Sequence, residues 1–275
     1  MNDNTIIDKN NYALLDTDFI SKTFHIQSYK SKRLIDEVLK LQGYKFICHN
    51  QIKIEIECYG GELLDWLNNR IIEKKIICYT DEDIIKSLYE NNDSMSCMMY
   101  LDFLKVACDA FSKNYFNKNY YGLENLDYIN IKMSEYTGIL KSLDDAIGKD
   151  NNLGEIKTYI LLQALSFNFK NNILYFCSDD KSARNGTQYI NNVNCISLIS
   201  LFLHLKNELS WTFDKATPYI NSLIEFYKKY NQEYVGVVES IDNKRICRVL
   251  YKQVFDDIFK DKFIELKNGM LCYKK

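Results

Sequence analysis

The sequence is short of punctuation. Its 275 residues include one proline, Pro218, and ten glycines, and no Gly-, Ser- or Pro-rich stretch marks a linker, so boundaries must be read from pattern. An excess of one charge is missing too. Thirty-five basic residues face 37 acidic ones, a net of -2, which excludes a protein that grips nucleic acid by bulk charge alone. No apolar run approaches the ~18 residues of a membrane span, and Met1–Asn11 lacks the charged-then-apolar pattern of a secretory leader. A cytoplasmic protein with no membrane partner is expected.

The nine cysteines form no CxxC pair and never lie closer than ten residues apart, so zinc-finger spacing is absent and reduced, buried thiols are expected. No Walker loop, G-x-G-x-x-G, G-x-S-x-G or HExxH occurs, which leaves P-loop, dinucleotide, esterase and zincin chemistries without support.

What is present is ordinary globular composition, 47% hydrophobic and 26% charged, without solenoid repeats. Disorder and fibrous repeats are excluded. The charge is unevenly spread: residues 228–275 hold eleven Lys/Arg against seven Asp/Glu, leaving 24 against 30 before them. The basic part is the tail.

Strand and helix signals alternate. YALLD (Tyr12–Asp16), FICH (Phe46–His49), IICY (Ile76–Tyr79) and ILYFC (Ile173–Cys177) read as buried strands, with a short one near Val193–Ser197. Helical spacing separates them, at Leu34–Leu41, Leu63–Ile71, Leu153–Phe169, Leu198–Glu208 and Lys215–Tyr230. Asp81 is the expected N-cap of a mostly helical stretch over about 81–149, broken at Asn114–Asn125. That alternation predicts an α/β fold, a central mostly parallel sheet with helices on both faces and a site at the strand C-termini. YVGVVE (Tyr234–Glu239), ICRVL (Ile246–Leu250) and the Asn268-Gly269 hairpin signal predict a small basic α+β C-terminal module over 231–275, β-rich in content.

Four acidic positions fall where such a sheet places its chemistry: Asp16, Glu55, Glu155 and Asp179/Asp180. Carboxylates converging from four elements repel one another and call for a divalent cation, and hard oxygen ligands suit Mg2+ or Mn2+. Plainer roles exist for each: Asp16 capping a turn, Glu155 as a first-turn acid, Asp179/Asp180 as a helix N-cap pair. His49, beside the expected site, reads first as a structural histidine. Tyr115, Phe116, Tyr120 and Tyr121 read first as packing residues and second as base-stacking ones.

Leu15-Asp16-Thr17-Asp18-Phe19-Ile20, Leu153-Gly154-Glu155 and Cys177-Ser178-Asp179-Asp180-Lys181-Ser182-Ala183-Arg184, in that order, resemble the motifs of the PIN-domain nuclease family. The resemblance implies a three-layer α/β/α PIN-like domain over 1–230 with the helical insertion at about 81–149. It implies a metal-dependent phosphodiesterase, an endoribonuclease cutting single-stranded or structured RNA with Mg2+ or Mn2+. Residue by residue, Asp16, Glu155 and Asp180 match the family's acids, Thr17 the hydroxyl beside the first and Ser178 the T/S position. Glu55 stands for the second-motif acid, with Glu57 as its alternative if that segment is extended. Metal ligands would come from Asp16, Glu55, Glu155, Asp179 and Asp180, and substrate contacts from Thr17, Ser178, Lys181 and Arg184. The chain departs from the family at Asp18, where Asn or Ser is usual, and in its length. A homodimer or an inhibitory protein partner stays open.

Two other readings compete. Asp16-Thr17-Asp18 also resembles the D-x-D opening of haloacid-dehalogenase phosphatases, with Asp16 as nucleophile, although Glu55 and Glu155 would then have no role. A PIN-like scaffold that binds RNA or protein without cleaving is the third.

Overall fold

The computed structural model describes residues 11–111, 114–148, 152–170, 172–187 and 189–274. The leader reading at Met1–Asn10, the 149 end of the helical insertion and Lys275 of the basic tail lie outside the described residues.

Five strands, β1 (Asn11–Leu15), β2 (Tyr44–His49), β3 (Ile76–Tyr79), β4 (Leu174–Cys177) and β5 (Val193–Ile196), form a parallel sheet in the order β3-β2-β1-β4-β5. Their runs are apolar throughout because both faces are covered. Ala13, Leu15, Phe46, Cys48 and Cys177 face one buried cluster, whereas Tyr12, Leu14, Ile47, Phe176 and Cys195 face another.

In chain order the first helices are α1 (Thr17–His25), α2 (Leu34–Val38), α3 (Asn50–Ile56), α4 (Gly61–Ile72), α5 (Asp81–Leu88) and α6 (Asp93–Phe111). They continue with α7 (Tyr115–Asn119), α8 (Met133–Ile147), α9 (Leu153–Asn168), α10 (Lys181–Thr187), α11 (Leu201–Leu209), α12 (Phe213–Lys228) and α13 (Tyr251–Phe259). The first cluster holds α1–α4 and α11–α13, the second α5–α10. A three-layer α/β/α architecture results. No helix among the described residues is long and apolar enough to cross a membrane.

Two local expectations are corrected and a third is refined. The N-cap of α5 is Thr80, whose side chain forms a capping box with Asp83, and Asp81 turns inward instead. The break at Asn114–Asn125 falls between the long helices α6 and α8 as expected, holds a short helix and a 3-10 turn, and buries Tyr115, Phe116 and Tyr120 in the core, the packing role read first for them. That leaves Tyr121 as its one exposed ring among those four. The segment after His49 is helical, so Glu57 falls past the end of α3, exposed, and does not share the direction of Glu55.

The C-terminal segment builds a second sheet from β6 (Tyr234–Val238), β7 (Ile246–Leu250), β8 (Phe263–Glu265) and β9 (Leu271–Tyr273), in the order β7-β6-β9-β8. Gly269 turns the β8–β9 hairpin at φ +73, the left-handed region glycine supplies freely. Helix α13 supplies the α part of the expected α+β module, at a position the sequence pattern had not marked; Tyr251, Val254, Phe255 and Ile258 line its buried face and join the same cluster as α11 and α12. The module is therefore packed into the main core, with the Phe255 ring 4.9 Å from that of Phe202.

A candidate carboxylate site at the switch point of the sheet

The chain leaves β1 toward one face of the sheet and β4 toward the other, which opens a crevice between their C-terminal ends. Asp16 follows β1 there. It is 5% exposed, its Oδ1 accepts from the Thr17 N–H at 2.9 Å, and its Oδ2 accepts from the Ser178 hydroxyl at 2.8 Å. The turn-capping reading of Asp16 is thus correct, and compatible with a site role. Burial, followed by repulsion from Glu155, Asp18 and Glu55, outweighs the Ser178 hydrogen bond and pushes the Asp16 carboxyl up to about 7.

Glu55 reaches the crevice from α3. The Thr17 hydroxyl donates to its Oε2, and its carboxylate lies over the α-carbon of Gly154, where a β-carbon would collide with it. Burial and then Glu155 raise the Glu55 pKa, opposed by Thr17 and the Gly154 N–H. Glu155, in the first turn of α9, is raised by burial, then by Asp180 and Asp18. Asp16, Glu55 and Glu155 therefore share one electrostatic environment.

The late motif divides its labour. The Asp180 N–H donates to Ser178 Oγ at 3.1 Å, and Asp180 Oδ1 caps α10 by accepting from the Ser182 N–H at 2.6 Å. Asp179 is turned to other partners: Lys22 Nζ at 2.8 Å and the Tyr227 hydroxyl at 2.7 Å. Thr17 and Ser178 are held as scaffolding for the acids, each hydroxyl donating to a carboxylate. Arg184 is buried and donates to the Ser178 carbonyl at 2.6 Å and the Asn268 carbonyl at 3.1 Å, so it pins the β4 turn to the C-terminal hairpin. Lys181 is exposed at the start of α10.

Lys22 was missed in the sequence, although its i,i+4 spacing from Asp18 is a readable signal. It bonds Asp18 at 2.7 Å as well as Asp179. Burial opposes its charge, but the two carboxylates raise its pKa.

The donor set is carboxylate and hydroxyl oxygen, the chemistry of a hard divalent cation. Among the described residues no three His, Cys, Asp or Glu side chains stand close enough to hold a metal ion. Mg2+ commonly takes only one or two carboxylates and keeps several waters. A buried carboxylate with acidic neighbours and hydrogen bonds from Thr17 and Ser178 fits that habit.

A second buried network lies nearby and was not read from the sequence. Lys157 is 1% exposed and bonds Asp81 at 2.9 Å and Asp144 at 2.7 Å. The Tyr100 hydroxyl donates to Asp81 and that of Tyr120 to Asp144. His49 Nε2 lies 3.3 Å from Asp81 Oδ1, beside a cavity of about 620 Å³. Ile54 and Leu153 line that cavity, each one residue from the Glu55–Gly154 contact.

No family model matches the chain, and no curated protein or solved structure matches it.

Proposed function

We propose that the chain is a metal-dependent nuclease of the PIN-domain kind that hydrolyses phosphodiester bonds in RNA. The observation that carries this reading is Asp16. It is a buried carboxylate at the switch point, raised by burial and by Glu155, Asp18 and Glu55, with a peptide N–H and a hydroxyl donating to its two oxygens. Such an arrangement is costly unless a cation joins it. Asp16, with one neighbour from among Glu55, Glu155 and Asp180 and with waters completing the shell, would hold Mg2+ or Mn2+, which when bound activates water and stabilises charge on phosphoryl oxygens.

The chain's own residues supply orientation. Ser178 and the Thr17 N–H fix the Asp16 carboxylate, Thr17 Oγ1 and Gly154 fix Glu55, and Asp180 is held by its cap. Lys181 is the exposed cation nearest in sequence to these acids and is the candidate for phosphate contact. Asp179, spent on Lys22 and Tyr227, orders the turn instead of binding metal.

The phosphatase alternative asks Asp16 to attack phosphorus. Both of its oxygens already accept hydrogen bonds and it is nearly inaccessible, while Asp18, the proton carrier in that scheme, is paired with Lys22. The nuclease reading is preferred for that reason.

The test is cleavage of labelled single-stranded RNA with Mg2+ or Mn2+ by wild type, Asp16→Asn and Glu155→Gln, beside p-nitrophenyl phosphate hydrolysis. Metal-dependent cutting lost in both variants supports the nuclease. Full activity in Glu155→Gln removes the carboxylate site from contention; phosphatase turnover without RNA cutting promotes the alternative, and RNA binding without either promotes the scaffold.

A further inference from the structure

Two thiols face one another at the edge of the parallel sheet. Cys48 of β2 and Cys78 of β3 are register partners. Cys48 is buried in the cluster under one face of the sheet, and Cys78, partly exposed, packs against the same cluster. Neighbouring strands run roughly 4.8 Å apart, inside the Cα separation of about 4.4–6.8 Å that a disulfide spans. No other two cysteines are register partners among the described strands. Strand β3 is the outermost of its sheet and is hydrogen-bonded within it to β2 alone, so it is free to lean toward that neighbour.

The two sulfurs differ in the way a reactive pair requires. A hydrogen bond from the Cys48 thiol lowers the Cys78 pKa; burial and Asp83 oppose that shift, and the Lys53 charge adds to it. The same contact and then burial raise the Cys48 thiol well above its usual range. Cys78 is therefore the more accessible and the more readily ionised sulfur, and Cys48 is its protonated partner beneath it. Cys58, in the turn after α3, is exposed and serves as a comparator.

We propose that Cys48 and Cys78 form a modification site, a dithiol that a peroxide oxidises reversibly to a disulfide. The Cys78 thiolate attacks one peroxide oxygen, the O–O bond breaks, and the hydroxide released takes up a proton as water, which leaves Cys78 as a sulfenic acid. The Cys48 sulfur then attacks the Cys78 sulfur. An S–S bond forms, the S–O bond breaks, and the hydroxyl leaves as water with the Cys48 proton. Two thiols are thus oxidised by two electrons while the peroxide is reduced to two waters. The site does not depend on the nuclease reading, but it adjoins the same end of the sheet. Cys48 precedes His49, the N-cap of α3, the helix that carries Glu55, and Cys78 stands two residues before Thr80, the N-cap of α5. The bond fastens together the two strand ends from which these helices start.

The experiment treats the full chain with a small excess of hydrogen peroxide, blocks the remaining thiols with N-ethylmaleimide and reads the unreduced tryptic digest by mass spectrometry. Lys45, Lys53, Lys75 and Lys86 bound two peptides with one cysteine each, Phe46–Lys53 and Ile76–Lys86. These should appear joined, about 2 Da lighter than their sum, and should separate under dithiothreitol. Cys48→Ser should leave Cys78 as a sulfenic acid that dimedone traps, and Cys78→Ser should leave Cys48 unoxidised, with Cys58 modified alike in all three proteins. Oxidised Cys58 without the joined peptides in wild type overturns the proposal. So does Cys78 trapped as a sulfenic acid in wild type, or joined to a cysteine other than Cys48. The wild-type map decides the matter even where a variant fails to fold.

Discussion

The carboxylate of Glu55 rests on the α-carbon of Gly154 so closely that no β-carbon fits between them. Two motif residues about a hundred positions apart are thereby locked together, and the glycine has a steric reason to be there. The atoms a β-carbon would meet are the mobile end of the Glu55 side chain, so Gly154→Ala should displace that carboxylate at little cost, keep or gain up to about 1 kcal/mol in urea unfolding through helix propensity, and lose activity. Adding Glu55→Ala should leave that stability in place and not restore activity. A Gly154→Ala protein as stable and active as wild type would show that the contact does not exist.

Asp16 sets a pH dependence of stability. Its folded pKa, about 7 against 3.8, is raised, so the native state binds the proton more tightly and stability falls as pH rises from about 4 through 7. Above that window the ionised form carries a penalty on the order of 4 kcal/mol. Asp16→Asn removes it, at the cost of the Ser178 donation, and should melt higher than wild type at about pH 8 in EDTA but not at about pH 4. Saturating Mg2+ should narrow the gap by stabilising wild type. The same melting difference at both pH values would count against this account.

Which parts were legible follows from where their determinants lie. The five core strands declared themselves as short apolar runs because both faces of the sheet are covered; Asp16 stands out because it follows a strand and Glu155 because it opens a helix, whereas Glu55 lies near the end of α3. Helix α13 was hidden between two strand signals, where a nine-residue segment with two Asp and one Lys reads as a connection. Glu57 stayed open against Glu55 because Ile52, Ile54 and Ile56 alternate like a strand; packing of Ile52 and Ile56 under β2 decides for helix. Arg184 and Lys157 carry charges that a sequence assigns to solvent. Their partners, the Asn268 carbonyl and Asp81, are distant in the chain and become neighbours only in the fold.

His204 joins the C-terminal sheet to the core and should be seen to titrate. Its Nε2 is 2.8 Å from Glu265 of β8 and its Nδ1 2.9 Å from Glu208 of α11. Burial opposes the charge, but these hydrogen bonds outweigh it and push the imidazolium up to about 9. A raised folded pKa contributes stability that is complete below the unfolded value of about 6.5 and is lost as pH rises through 9, a contribution on the order of 3 kcal/mol. His204→Gln should therefore be destabilised near pH 6 and match wild type near pH 10, and a ring resonance of wild type should titrate near 9. A midpoint below 6.5 would contradict the pairing.

Lys157 is the buried cation of a network that holds α5, α8 and α9 together. Burial opposes its charge, yet Asp81 and Asp144 raise its pKa, while Lys157 and His49 overcome burial to hold Asp81 well below the usual carboxylate range. Lys157→Met strands two buried carboxylates and should cost roughly 3–5 kcal/mol. Those carboxylates would then relieve their repulsion by taking up protons, so the deficit relative to wild type should shrink as pH falls toward about 4. Asp144→Asn placed on top of Lys157→Met should recover part of the loss by removing one stranded charge. A deficit that is small, or that widens in acid, would mean that the three groups are not paired in the folded protein.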